Sequence, residues 1–285
     1  MIFVEDLIKT LSQSDIKFYT GVPDSILKHL SFIIDKNNKK KNIVAVNEGS
    51  AVSIAAGYHL STKKIPCVYL QNSGLGNALN PLVSITHKKV YSIPLLLLIG
   101  WRGSPRSKDE PQHNTKGKIT PDILKLLNIK YILLDKKKDL AKIKRLIDFS
   151  RKNNNAVACL IKNNSLISKN KIKIKKNGNN FTRRTFILEL LKKINKKTKI
   201  VSTTGYTSRE LDNILKEQNL KKPKVFYMIG GMGHASAVAL GSSLFTKKNT
   251  ICLDGDGSIL MHLGSLRTCA FLGNKNFKHI ILNNN

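Results

Sequence analysis

A chain of 285 residues can hold two domains or one large one, and 41% hydrophobic with 24% charged residues is the balance of an ordinary globular protein. The most apolar stretch, YSIPLLLLIGW (91–101), is shorter than the roughly 18 uninterrupted apolar residues of a membrane span. The net charge of +31 invites a nucleic-acid reading, but only eight of the 49 basic residues are arginine, the side chain that grips guanine and phosphate bidentately, and no zinc-finger, RNP or basic-helix motif appears.

In chain order, 4–14 is helical by spacing, 16–22 is a short strand, and 24–35 is a helix with Asp24 or Ser25 at its cap. A strand at 43–46, a small-residue helix at 49–62 and a strand at 65–71 follow. Next come a helix (75–87), a buried strand (93–101), a helix (120–127), a strand (131–135), a helix (140–152) and a final strand (156–162). Residues 166–182 are polar and basic and read as a linker. After them the alternation resumes. Helices are expected at 183–194, 208–217, 234–245 and 263–273, and strands at 199–205, 224–231, 249–254 and 279–283. Continuously apolar strands alternating with helices predict parallel sheets covered on both faces, an α/β class with two similar domains. Ligands of such sheets sit beyond the carboxyl ends of the strands, where the polar turns TGVPDS, NEGS, QNSGLGN, STTGYTS, GGMGHAS and GDGS cluster.

The N-terminus carries early acids and reads as a helix, not a signal peptide. Cys67, Cys159, Cys252 and Cys269 are scattered without a CxxC pair, so they read as core residues of a reducing compartment. A cytoplasmic location is expected.

The chemistry concentrates in Gly255-Asp256-Gly257-Ser258. Glycines allow close backbone approach to a phosphate, and a helix start supplies free N–H groups. A lone GDG is often only a turn. Here a strand–helix–strand unit would bring Asn283 and Asn284 beside Asp256, and carboxylate plus amide oxygens suit Mg²⁺.

GDGS followed by the asparagine pair resembles the diphosphate-binding motif of thiamine diphosphate enzymes. The resemblance implies two doubly wound parallel-sheet domains: a pyrimidine-binding domain at 1–165, the linker 166–182, and an incomplete diphosphate-binding domain at 183–285. It makes Asp256 and Asn284 the Mg²⁺ ligands, with Asn283 possible. It also puts Gly255, Gly257 and Ser258 at the diphosphate, with Thr203, Thr204 and Gly205 near it. Gly231 and Met232 would present backbone to the aminopyrimidine. Glu48, at a strand end before a small-residue helix, matches the glutamate that hydrogen-bonds the aminopyrimidine; its bland reading is a first-turn acid facing the helix dipole. Within the family, GVPDS (21–25), QNSGLGNALNP (71–81), WRG (101–103), DEPQH (109–113), TSRE (207–210) and GMGHAS (231–236) resemble the phosphonopyruvate decarboxylases. Sulfopyruvate decarboxylases share the NSGLGN and WRG style. The resemblance implies decarboxylation of a small anionic 2-oxo acid, with the cofactor as electron sink. His113 on the DEPQH loop is the candidate proton carrier, and Asp24 a candidate contact. Arg102 and Arg106 are candidate holders of the anionic head, whereas His234 reads as a packed structural residue. The family's cofactor lies between two subunits, so a homodimer or larger homo-oligomer is implied, with no nucleic acid or membrane as partner. The sequence is also expected to be a fragment of a product about 80–100 residues longer, the alternative to an active enzyme being an inactive truncated homologue.

Overall fold

The computed structural model describes residues 1–37, 41–169, 182–218 and 223–283. The chain divides into two compact units, residues 1–174 and 175–285.

The first unit opens with β1 (Ile2–Phe3), α1 (Val4–Gln13), β2 (Tyr19–Gly21) and α2 (Lys28–Asn37). Helix α2 starts later than the sequence suggests because Asp24 is occupied elsewhere: its Oδ2 accepts from the Ile26 and Leu27 amides at 3.2 and 3.3 Å and holds a turn ahead of the helix. Next are β3 (Asn42–Val44), α3 (Glu48–Thr62), β4 (Cys67–Gln71), α4 (Leu75–Pro81), β5 (Leu96–Trp101) and α5 (Pro111–Leu126). Helix α3 is capped by Asn47, whose Oδ1 accepts from Ser50 N at 2.8 Å.

Helix α5 begins nine residues before the expected start at Thr120, so His113 lies in its first turn and not on a loop. Pro111 at the helix start costs no hydrogen bond. Pro121 sits in the helix interior, where it leaves the Gly117 carbonyl without its usual donor. Trp101 Nε1 donates to that carbonyl at 2.9 Å. The indole thus replaces the missing helical bond, and the helix runs through.

The unit is completed by β6 (Lys130–Leu134), α6 (Ala141–Asn153), β7 (Val157–Lys162) and β8 (Leu166–Ile167). Strand β8 takes two residues of the expected linker: Leu166 and Ile167 pair in parallel with Ile2 and Phe3, and the Ile2–Leu166 pair is buried. Residues 170–181 of that linker lie outside the described residues. The main sheet has the order β3-β2-β4-β5-β7-β6, parallel throughout. Along β5, Leu96 and Leu98 enter one core with Leu7, Leu30 and Ile143, while Leu97 and Ile99 enter another with Val52, Leu75 and Leu124. Alternate residues therefore face opposite helical layers, which is why this strand reads as a continuous apolar run.

The second unit runs α7 (Arg183–Lys193), β9 (Lys199–Ser202), α8 (Tyr206–Glu217), β10 (Lys224–Tyr227), α9 (Ala235–Leu244), β11 (Thr250–Gly255), α10 (Asp256–Met261), α11 (Ser265–Leu272) and β12 (Phe277–Leu282). Its parallel sheet has the order β10-β9-β11-β12. Ile251 and Leu253 pack under α7 and α8, and Cys252 packs under α9. All four cysteines are buried and unpaired. Among the described residues, no helix is long and apolar enough to cross a membrane.

Candidate functional site

In the first unit, β2, β4 and β5 end at the same edge of the sheet and carry the polar turns there. Glu48 is the first residue of α3 and is buried. Asn77 of α4 reaches it, Nδ2 donating to Oε2 at 2.7 Å. Gly74 lies against the other oxygen: a methyl group there would sit 2.2 Å from Glu48 Oε1.

Asp24 is buried and filled. Gln71 Nε2 donates to its Oδ1 at 2.7 Å, while Oδ2 serves the turn before α2. Gly100 is glycine because a methyl group would meet that carboxylate at 2.1 Å. This arrangement makes Asp24 an anchor that presents Gln71.

Arg102 is committed along one edge. Its Nε donates to Asp109 Oδ2 at 2.7 Å and its Nη2 to Oδ1, leaving Nη1 toward Ser25 Oγ at 3.5 Å. Asp109 also accepts from the amides of Gly103 (3.0 Å) and Glu110 (2.9 Å). Asn72 clamps the same loop, accepting from Arg102 N and donating to Arg102 O and Thr120 Oγ1. His113 is 13% exposed, with Nε2 3.7 Å from Glu110 Oε2 and Nδ1 buried without a hydrogen-bond partner. Burial, then the nearby Arg102 cation, pushes its imidazole below the usual value of 6.5. Arg106 is exposed, in a left-handed turn with φ 67°.

Chiefly through its hydrogen bonds with Arg102, Asp109 is held well below its ordinary value of 3.8. Its contribution to stability is therefore complete above that value and is lost as pH falls through the lower folded value. The stability gap between the wild-type protein and Asp109→Asn is expected to hold steady above about pH 5 and to narrow below about pH 4. Thermal unfolding across that range checks it; a gap that widens toward acid would show that the clasp does not stabilise the fold.

In the second unit, Thr203 Oγ1 and Ser258 Oγ hydrogen-bond at 2.8 Å, and Gly233 N donates to the same Ser258 oxygen at 3.1 Å. Three strand-end turns thus converge. Gly205 and Gly233 both have φ 93° and Gly231 has φ 64°, conformations that favour glycine. Thr204 is half-buried and Met232 is 42% exposed. Asp256 begins α10, half-buried, after an open Gly255. Gly255 pairs with Leu282, so Asp256 and Asn283 leave adjacent parallel strands at the same level. Asn284 lies outside the described residues. Glu210 of the TSRE stretch is paired with Arg183. His234 is exposed and stacks on His262, with centroids 4.3 Å apart, and is not the packed residue expected from the sequence.

Sequence reasoning missed Asp254 and His279, whose signal lies in the register that places β12 against β11. His279 Nε2 donates to Asp254 Oδ2 at 3.2 Å, and Gly255 N donates to Oδ1 at 3.0 Å. Burial pulls Asp254 upward, but hydrogen bonds from His279, Ser258, Gly255 and Thr203 outweigh it and hold the carboxyl below 3.8. Cys252 brings its sulfur within 4.8 Å of this pair, yet burial pushes its thiol up, away from the thiolate that metal binding needs. The Asp254–His279 pair ties β11 to β12 beside the GDGS turn.

Residues 1–126 match the family described as thiamine pyrophosphate enzyme, N-terminal TPP binding domain, and residues 204–285 match thiamine pyrophosphate enzyme, C-terminal TPP binding domain. A phosphonopyruvate decarboxylase from Streptomyces viridochromogenes is 32% identical over 301 residues, covering 100% of this chain and 74% of that protein. The chain belongs to the thiamine diphosphate-dependent decarboxylases. Within them it is of the phosphonopyruvate/sulfopyruvate decarboxylase type: a sulfopyruvate decarboxylase from Methanosarcina acetivorans is 27% identical over 305 residues, 98% of this chain and 75% of that one. The beta subunit of a sulfopyruvate decarboxylase from Methanocaldococcus jannaschii is 40% identical over 99 residues, 34% of this chain and 50% of that subunit. Among solved structures, benzoylformate decarboxylase from Polynucleobacter necessarius aligns with 14% identity and a TM-score of 0.44, over 89% of this chain and 44% of that one.

Proposed function

We propose that the protein converts 3-phosphonopyruvate to phosphonoacetaldehyde and CO₂, using thiamine diphosphate and Mg²⁺, as a carboxy-lyase of phosphonate biosynthesis. The similarity over the whole of this chain to a phosphonopyruvate decarboxylase, 74% of which it covers, carries this reading. Sulfopyruvate is the alternative substrate, favoured by the similarity over 98% of this chain to a sulfopyruvate decarboxylase.

The residues fit the cofactor. Glycines at 205, 231 and 233 hold positive φ and Gly255 is open, so backbone can approach a diphosphate where Thr204 and Ser258 also stand. Asp256, flanked by glycines, forms no ion pair among the described residues and offers a hard oxygen for Mg²⁺, with Asn284 as the second ligand and Asn283 level with it. Gly231 and Met232 offer exposed backbone for the pyrimidine ring.

When bound, thiamine diphosphate supplies the electron sink for loss of CO₂. With the cofactor in place, the Glu48 carboxylate would hold or give up a proton beside the aminopyrimidine. The bond from the 2-oxo carbon to the carboxylate breaks, CO₂ leaves, and one proton replaces it on that carbon. His113 takes up a proton and passes it on as the imidazolium: burial and the nearby Arg102 disfavour that charged form, so once formed it gives the proton up readily and returns to the neutral ring. Asp24 orients Gln71 toward the substrate. Arg102 Nη1 and the exposed Arg106 receive the anionic head, and the basic surface draws anions inward. Function as a homodimer or higher homo-oligomer follows from the family's shared cofactor site. The test is a comparison of the two acids with thiamine diphosphate and Mg²⁺ present: a higher kcat/KM for 3-phosphonopyruvate is expected, and a clear preference for sulfopyruvate would reassign the substrate.

A further inference from the structure

We infer that Asn77 is a positioning residue that decides which oxygen of Glu48 carries the transferred proton, an inference that rests on the proton-transfer role proposed for Glu48. The Asn77 amide nitrogen is only a donor, and it points at Oε2 from 2.7 Å. An oxygen that accepts along this direction does not carry a proton there, so a proton on Glu48 resides on Oε1. The surroundings hold that assignment. Oε1 lies where any side chain at position 74 would be, 2.2 Å from the place of a methyl group. A methyl group on Gly49 would meet the Asn77 carbonyl at 2.9 Å, so the starts of α3 and α4 are seated backbone against backbone. Two glycines and one amide thus form a socket in which the carboxyl of Glu48 cannot rotate freely. Asn77 itself is half-buried, and Glu48 is the titrating group its side chain hydrogen-bonds.

The experiment uses Asn77→Ala, the isosteric Asn77→Asp and, as control, Glu48→Gln. For each, kcat, KM, the pH profile of kcat, the calorimetric Kd for thiamine diphosphate and the Tm of the cofactor-free protein are measured. Asn77→Ala is expected to lower kcat by about 10- to 100-fold, the scale of a misplaced catalytic group, with KM for the oxo acid within about twofold. It should weaken thiamine diphosphate binding severalfold. Asn77→Asp sets a second carboxyl against Oε2, so one proton is shared between them, and its kcat profile is expected to shift along the pH axis at nearly unchanged Tm. Should Asn77→Ala fail to fold, the isosteric variant decides. Wild-type kcat, Kd and pH profile in Asn77→Asp, beside an inactive Glu48→Gln, would overturn the positioning role. Full activity of Glu48→Gln would instead remove the role of Glu48, whatever the Asn77 variants do.

Discussion

Glu48→Gln is expected to lower kcat by about 10²- to 10⁴-fold, the range that general acid–base groups contribute, while the protein stays folded. The asymmetry follows from the site. Glutamine keeps the length and an oxygen able to accept from Asn77 Nδ2, so the buried contact at 2.7 Å survives. It also keeps the first-turn position of α3, capped independently by Asn47. What it loses is the ability to exchange a proton. Steady-state kinetics with the Tm of the same preparation checks this. A variant with near wild-type kcat would remove Glu48 from the chemistry, and a large fall in Tm would make it chiefly a structural residue.

Gly103→Ala is expected to destabilise the protein by about 2–5 kcal/mol, adding the cost of a left-handed alanine to that of overpacking. Gly103 has φ 64°, and a methyl group on it would sit 1.8 Å from the His113 carbonyl oxygen, backbone that cannot swing away. The contact is reciprocal: a methyl group on Gly117 would meet the Gly103 carbonyl at the same distance. Loop 101–103 is thus pressed onto the first turns of α5, where Arg102, Asp109 and His113 meet. The comparison is Gly76→Ala on the exposed side of α4, where a methyl group meets nothing within 4 Å; that change is expected to be neutral or to stabilise by about 0.5–1 kcal/mol. Urea midpoints separate the two. Equal midpoints would mean that the loop can move away from α5 at little cost.

Much of this site was legible before the fold was known, because it depends on local order and parallel-sheet geometry. Strand, GDGS, helix and strand in sequence oblige Asp256 and Asn283 to leave neighbouring strands together, and the pairing of Gly255 with Leu282 puts them level. Glu48 was legible as an acid at a strand end before a small-residue helix. The start of α5 was not legible, because it depends on a contact 16 residues away in sequence: Trp101 Nε1 supplies the bond that Pro121 removes. Nor does the sequence say that Arg102 gives one edge of its fork to Asp109, leaving a single nitrogen toward Ser25. Asn72, Asn77 and the Asp254–His279 pair were hidden for the same reason. Their partners lie 25 to 48 residues away and are set by how helices pack and strands register in three dimensions, to which side-chain periodicity is blind.

The most direct test is release of phosphonoacetaldehyde from 3-phosphonopyruvate, followed by a coupled reductase while thiamine diphosphate and Mg²⁺ are added separately and together. Saturable release that requires both, and that is lost in Glu48→Gln, is the expected result. Release without the cofactor, or none while calorimetry shows thiamine diphosphate bound, would contradict the proposed function.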